Sequence, residues 1–308
     1  MTNILIFGHK NPDTDSICSA IVYNNLKRLQ GMDTEAVRLG ELNDETKYAL
    51  EYFNVSAPRL VEELKEGQHV ILVDHNEFQQ SANGIEKAVI REVIDHHRIA
   101  NFETAGPLYY RAEPLGCTAT ILKKIYEEQS VHIDKQMAGL MLSALISDSL
   151  LLKSPTCTLR DKVAAEELAK IAGVNLEEYG LAMLKAGAST KDKKAEELIT
   201  LDAKEFILGD DKLIVAQINT VDEKEVADRK EELANAINSE ISEKSLSAFV
   251  FVITNILTSN SEVLVLGAKQ DKVAAAFGKT LANDFMTLEG VVSRKKQVVP
   301  QITEEFTK

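Results

Sequence analysis

The stretch Ile4-Leu5-Ile6-Phe7-Gly8-His9-Lys10-Asn11-Pro12-Asp13-Thr14-Asp15-Ser16 decides the fold. Its first part is a short apolar run of strand length, and Asn3–Phe7 reads as a strand. Its second part places one histidine and two aspartates in the connection that follows. Aspartate is a preferred helix N-cap, and acids in a first turn complement the helix dipole, so a helix from about Ser16 to Gln30 is expected. Strand, polar turn and helix make up the repeating unit of a parallel sheet with helices on both faces.

The same arrangement recurs twice. Val70-Ile71-Leu72 runs into Val73-Asp74-His75-Asn76, and Val93-Ile94 runs into Asp95-His96-His97. A fourth cluster, Ser147-Asp148-Ser149, lies inside the apolar helical stretch from Ala138 to Leu152. All six histidines precede residue 133, and four of them fall in these clusters. Ligands of an open α/β sheet bind at the carboxyl ends of its strands, so three such loops can converge on one crevice. Carboxylates and imidazoles together suit divalent manganese, cobalt, iron or zinc. The candidate ligands are His9, Asp13, Asp15, Asp74, one histidine of the His96-His97 pair, and Asp148. Six ligands exceed one tetrahedral ion but fit two ions sharing a carboxylate, a recurring device for displacement at phosphorus. Singly, each cluster has a plainer reading: a helix cap, a loop acid, a polar strand end. Asp148 resists that reading, because an unpaired carboxylate in an apolar helix is costly and calls for a partner.

The order and content of the clusters resemble the DHH phosphoesterase superfamily, through Asp95-His96-His97. Within it the chain is most similar to the family II, manganese- or cobalt-dependent inorganic pyrophosphatases. The motifs are His9…Asp13-x-Asp15, Asp74-His75-Asn76 and Ser293-Arg294-Lys295-Lys296, and the resemblance spans essentially the whole chain. It implies that His9, Asp13 and Asp74 hold one manganese, and Asp15, Asp74, His96 and Asp148 the other. Cobalt is a substitute, and magnesium enters with the substrate. His97 is left facing the substrate, and His75 and Asn76 look like supports that orient the ligands. Lys204, Arg294 and Lys295 are implied to bind pyrophosphate. The expected reaction is hydrolysis of pyrophosphate to two phosphates by a metal-bridged hydroxide. A homodimer through the N-terminal domain is implied as well.

Two other classes are weaker. A DHH phosphodiesterase or exopolyphosphatase acting on short oligonucleotides or polyphosphate often carries a Gly-Gly-Gly-His segment, yet no histidine follows His132 here. Tryptophan is absent and aromatics make up 6%, which gives bases little to stack on. A non-enzymatic metal-binding protein would not need both a full ligand set and a distal group of cations.

Composition agrees. At 308 residues and 44% hydrophobic, the chain is long and apolar enough for two cores. A net charge of −13 without a basic run argues against nucleic-acid partners. The start lacks a basic n-region, and no apolar run is long enough for a membrane span, so a cytoplasmic protein is expected. Cys18, Cys117 and Cys157 show no metal-type spacing and read as reduced thiols.

Coarse patterning predicts further strands at Thr34–Leu39, His69–Val73, Glu92–Ile94 and Leu108–Arg111. Helices are predicted over Asp44–Phe53, Ala119–Gln129, Lys135–Leu151, Leu159–Ala172 and Leu176–Lys185. The small and charged Gly187–Lys194 breaks the alternation and reads as a linker between residues 1–186 and 195–308. Beyond it, Lys204–Leu208 and Leu213–Asn219 flank a Gly-Asp-Asp turn, a hairpin signal. A charged helix over Asp222–Ser239, strands at Ser247–Thr254 and Glu262–Leu266, and a helix over Asp271–Gly278 complete a smaller α+β domain with a mixed sheet. The expected whole is an α/β protein: an N-terminal parallel-sheet domain, the C-terminal α+β domain, and an active site in the cleft between them.

Overall fold

A computed structural model of the chain describes residues 3–188, 190, 193–221 and 223–308. The chain divides into two compact units, residues 1–187 and 188–308. Of the segment read as a linker, Ser189, Lys191 and Asp192 lie outside the described residues, as does Asp222.

The first unit is built on six strands: β1 (Ile4–Phe7), β2 (Thr34–Arg38), β3 (Arg59–Leu60), β4 (His69–Val73), β5 (Val89–Asp95) and β6 (Tyr109–Ala112). They form one sheet in the order β3-β2-β1-β4-β5-β6, parallel throughout. Side chains alternate across it. Leu5, Phe7, Val37, Val70, Leu72 and Val93 build the core on one face. Ile6, Ile71 and Ile94, pointing the other way, are equally buried. With both faces covered, the strands read as continuous apolar runs. Six helices accompany the sheet: α1 (Thr14–Leu29), α2 (Asp44–Tyr52), α3 (Thr118–Glu128), α4 (Lys135–Ser149), α5 (Leu159–Ala172) and α6 (Leu176–Gly187). The chain leaves β1 toward β2 on one side and returns to β4 on the other. The carboxyl ends of β1 and β4 therefore flank the switch point where such sheets bind ligands.

The second unit holds β7 (Ala203–Leu208), β8 (Asp211–Thr220), β9 (Ala248–Asn255), β10 (Asn260–Leu266) and β11 (Phe285–Leu288) in the order β11-β10-β9-β8-β7. The sheet is mixed: β8 and β9 pair in parallel, the other neighbours antiparallel. Its helices are α7 (Ala195–Leu198), α8 (Glu223–Ala227), α9 (Lys230–Lys244), α10 (Gln270–Ala275) and α11 (Val299–Phe306). Alternate residues of β9 feed two cores. Phe249, Phe251 and Ile253 pack with Leu233 and Ile237 of α9. Val250 and Val252 pack with Val273 of α10 and Ile302 of α11.

The expected charged helix over 222–239 is two helices, α8 and α9, separated at Asp228–Arg229. Strand β3, strand β11 and a π-helical turn over Arg294–Val298 were not legible in the pattern. No helix of the described residues is long and apolar enough to cross a membrane.

Candidate metal centre

The turn after β1 places the first candidate ligands. Asp13 is the N-cap of α1, its Oδ1 accepting the Ser16 amide at 2.9 Å. The cap leaves Oδ2 free to face His9, whose Nε2 lies 3.4 Å away. His9 Nδ1 donates to the Lys10 carbonyl at 2.7 Å, which turns Nε2 inward. Gly8 is required here: a Cβ on it would stand 2.4 Å from Ser16 Cβ and 2.6 Å from Ser16 Cα. Asp15, in the first turn of α1, is fully buried and accepts from Ser19 Oγ at 2.6 Å and the Thr118 amide at 2.7 Å.

Asp74 follows β4 with a left-handed backbone, φ 59°, a conformation that Asp tolerates better than most residues. The turn aims its buried carboxylate at both neighbouring loops. Oδ2 lies 3.5 Å from His9 Nε2, and Oδ1 lies 3.4 Å from His96 Nε2. Ser16 Oγ donates to Oδ2 at 2.7 Å and Thr118 Oγ1 to Oδ1 at 3.2 Å. His96, after β5, donates from Nδ1 to the Leu115 carbonyl at 3.0 Å, again leaving Nε2 for the centre. Asp148, in the last turn of α4, brings Oδ2 to 3.8 Å from His96 Nε2.

Three groups with donor atoms within 4.8 Å of one another result: His9, Asp13 and Asp74; Asp15, His96 and Asp148; and Asp74, His96 and His97. Asp74 belongs to two of them. Four carboxylates and two or three imidazoles gathered in one site, buried at Asp15 and Asp74 and open at Asp13 and His97, are a donor set that divalent transition ions fit. Their electrostatics point the same way. Burial would lower the His9 imidazole, but the hydrogen bond and charge of Asp13, with Asp74, outweigh it and raise it to about 10. His96 also overcomes burial and rises to about 10, through Asp74 and Asp15. Burial, then the Asp74 charge, pushes Asp15 up to about 7. Burial and the charges of Asp15, Asp13 and Asp74 drive Asp148 well above the carboxylate range. Asp74 goes the other way: burial opposes its ionisation, yet the imidazoles of His96, His9 and His97 hold it well below the usual range. Protons thus do, at a cost, what bound cations would do better.

The remaining motif residues take supporting places. His97 is half exposed, and its Nδ1 and amide both lie 3.0 Å from Asp95 Oδ1. Asn76 donates to Asp95 Oδ2 at 2.6 Å and to the Arg98 carbonyl at 2.8 Å, so the orientation of His97 is passed back through Asp95 to Asn76. Burial lowers His75 to about 4. Its neutral ring donates from Nδ1 to the Val73 carbonyl at 2.9 Å and accepts from Ser81 Oγ at 3.1 Å. It fixes the β4 loop and does not touch the ligand side chains.

Several contributors escape a reading of the sequence. Ser16 and Thr118 look like ordinary helix-start hydroxyls, and Asp95 carries the motif without an evident role. Glu45 gives no signal at all. It accepts from Ser147 Oγ at 2.5 Å, and burial pushes it up to about 7.

The predicted cations lie in the second unit. Lys204 is exposed near the start of β7, opposite Val215. Ser293 caps the π-helical turn by accepting the Lys296 amide at 3.2 Å. Lys295 is exposed on that turn. Arg294 is buried: its amide donates to Gln217 Oε1 at 2.8 Å, and Nη2 pairs with Asp202 Oδ1 at 2.8 Å.

Family models agree with this architecture. The DHH family N-terminal domain matches residues 3–145, and the DHHA2 domain matches residues 181–305. A probable manganese-dependent inorganic pyrophosphatase of Exiguobacterium sp. is 63% identical over 100% of both chains. The manganese-dependent inorganic pyrophosphatase of Bacillus subtilis is 61% identical over 99% of both. A solved Methanococcus jannaschii protein assigned to the family II inorganic pyrophosphatases superposes with a TM-score of 0.77 at 38% identity, covering 99% of this chain and 100% of that one. An exopolyphosphatase-related protein of Bacteroides fragilis shares the fold alone, with a TM-score of 0.52 at 15% identity over 99% and 93%. With full-length relatives at this identity and the ligand clusters of the motif brought together, the chain belongs to the family of manganese-dependent (family II) inorganic pyrophosphatases, with a DHH and a DHHA2 domain.

Proposed function

We propose that this protein hydrolyses inorganic pyrophosphate to two phosphates with two manganese ions. The observation that carries the reading is the convergence of His9, Asp13, Asp15, Asp74, His96 and Asp148 at the switch point of the parallel sheet. His9, Asp13 and Asp74 would hold one ion; Asp15, Asp74, His96 and Asp148 the other. Bound divalent ions lower the pKa of coordinated water and neutralise phosphate charge, which is the chemistry a kinetically inert anhydride needs.

The chain's own residues do the rest. Asp74, held by Ser16 and Thr118, keeps its two oxygens apart, one for each cluster. His97, oriented by Asp95, is the group exposed enough to meet substrate, and its ring donates to a phosphate or leaving oxygen. Lys204 and Lys295 grip phosphate as point charges, and Arg294 joins them as a fork once its guanidinium leaves Asp202. The exposure of Lys204 and Lys295 supports this reading, as does the π-helical turn, a device frequent at functional sites. Asp202 anchors Arg294 and with it the turn. Magnesium entering with the substrate would share its charge.

We also place the protein in the cytoplasm as a homodimer through its N-terminal unit. Val89, Ile99 and Tyr109, exposed apolar side chains on β5, on β6 or between them, support the second point, and the free, unpaired Cys18, Cys117 and Cys157 support the first. Phosphate release from pyrophosphate, tripolyphosphate and a short oligonucleotide, assayed with manganese, tests the activity. Rapid release from pyrophosphate alone is expected. Faster cleavage of either competitor would overturn the assignment.

A further inference from the structure

Asp161 is a fully buried carboxylate on α5 that touches none of the proposed metal ligands. Its surroundings are nonetheless unusually rich in donors. Oδ2 accepts the Thr158 amide at 2.7 Å, which with the Asp161 amide donating to Thr158 Oγ1 at 3.3 Å is the capping box of its own helix, and it also accepts the Thr158 hydroxyl at 2.6 Å. The same oxygen also accepts the Gly116 amide at 2.9 Å, and Oδ1 accepts the Thr120 hydroxyl at 2.6 Å. Those two bonds have nothing to do with capping α5. They cross 45 and 41 residues of sequence to seize the entrance of α3 on either side of Thr118.

That entrance is where the metal centre is steadied. The Leu115 carbonyl receives His96 Nδ1 at 3.0 Å, so it sets which ring nitrogen faces the ions. The Thr118 amide holds Asp15 at 2.7 Å, and its hydroxyl holds Asp74 at 3.2 Å. Three of the four side chains assigned to one ion therefore depend on residues 115–118. Of the other ion's ligands, His9 and Asp13 make no hydrogen bond to this segment, and the shared Asp74 is held from its own side by Ser16. The packing is too tight for slack: a Cβ on Gly116 would stand 2.8 Å from Asp161 Oδ2 and 3.2 Å from the Thr156 carbonyl. Bonds to an ionised acceptor are roughly twice as strong as neutral ones, so a carboxylate is the effective clamp for such a loop.

We propose that Asp161 is a positioning residue for one of the two metal sites, acting through residues 115–118 on Asp15, Asp74 and His96. The inference rests on the metal reading proposed above. Its signature is asymmetry: loosening the clamp weakens the ion of Asp15, His96 and Asp148 and spares the ion of His9 and Asp13.

Manganese titration of the full chain by calorimetry tests it. Wild type should bind two ions. In Asp161→Ala one affinity should fall about 10–100-fold, the usual cost of losing a partner behind a ligand, while the other stays within about threefold. Asp161→Asn should recover part of the loss. Thr158→Ala removes the cap hydroxyl but keeps the clamp, and should leave both affinities unchanged. If Asp161→Ala does not fold, Gly116→Ala displaces the carboxylate from the loop and should give the same one-sided loss. Equal weakening of both sites, no weakening, or an equal loss in Thr158→Ala would each overturn the proposal. A wild-type chain that binds fewer than two manganese ions would instead overturn the metal reading, and this inference with it.

Discussion

Asp74 is the residue at which two clusters meet, and its backbone makes it a clean site for substitution. At φ 59° most residues would be strained, but Asn shares the tolerance of Asp for that region. Asp74→Asn therefore changes charge without changing the turn. Losing the shared carboxylate should cost metal affinity and turnover well beyond the about 10–100-fold that follows loss of an outer partner. Metal analysis with steady-state rates checks this, and a variant retaining both ions and full activity would remove Asp74 from the bridging place. The adjacent histidines separate in the same experiment. His96 is mostly buried, with Nδ1 committed to Leu115. His97 is half exposed and backed by Asp95. His96→Gln should lower metal content. His97→Gln should keep the ions and lose about 10²–10⁴ in rate, the usual worth of a positioned proton donor. The reverse pattern would show the pair assigned backwards.

At the scale of elements, the sequence was legible where chemistry and local structure coincide. The strand-loop-helix of Ile4–Leu29 could be read because an apolar run meets an aspartate that caps the helix and is also a candidate ligand. Three strand-end clusters implied a common crevice, but the strand order that brings β1 beside β4 is a matter of long-range pairing and left no local trace. Asp148 could be read because a carboxylate in an apolar helix needs a partner. What stayed hidden has no periodicity to betray it: the two residues of β3, the π-helical turn over Arg294–Val298, and the break between α8 and α9. Gly8 belongs with these. Its meaning appears only when β1 and α1 are seen to approach so closely that a methyl group meets Ser16. Gly8→Ala should push α1 away from β1, costing about 1–3 kcal/mol of stability, as overpacking does. Since Ser16 also holds Asp74, manganese affinity should fall with it. Urea unfolding beside metal titration decides the point; a variant equal to wild type in both would mean that the turn has room the geometry denies.

For the whole molecule, the centre concentrates negative charge in a chain already at −13. The same repulsion that draws cations in must be met by protons when cations are absent. His9 and His96 are raised to about 10 and Asp15 to about 7, so at neutral pH the metal-free centre carries protons that bound ions would displace. The sign follows from linkage. A histidine raised above its ordinary value of about 6.5 stabilises the folded metal-free chain fully below that pH, and this contribution is lost as pH rises through about 10. Asp15, raised from the ordinary range of about 4, likewise weakens the metal-free fold as pH climbs toward 7. Metal binding runs opposite, because each displaced proton makes it more favourable by about 1.4 kcal/mol per pH unit. The gap in melting temperature between manganese-loaded and chelator-stripped protein, at fixed free manganese, should therefore widen steadily from pH 6 to pH 8.5. Scanning calorimetry across that range measures it. A gap independent of pH would mean that His9, His96 and Asp15 are not the groups that manganese displaces.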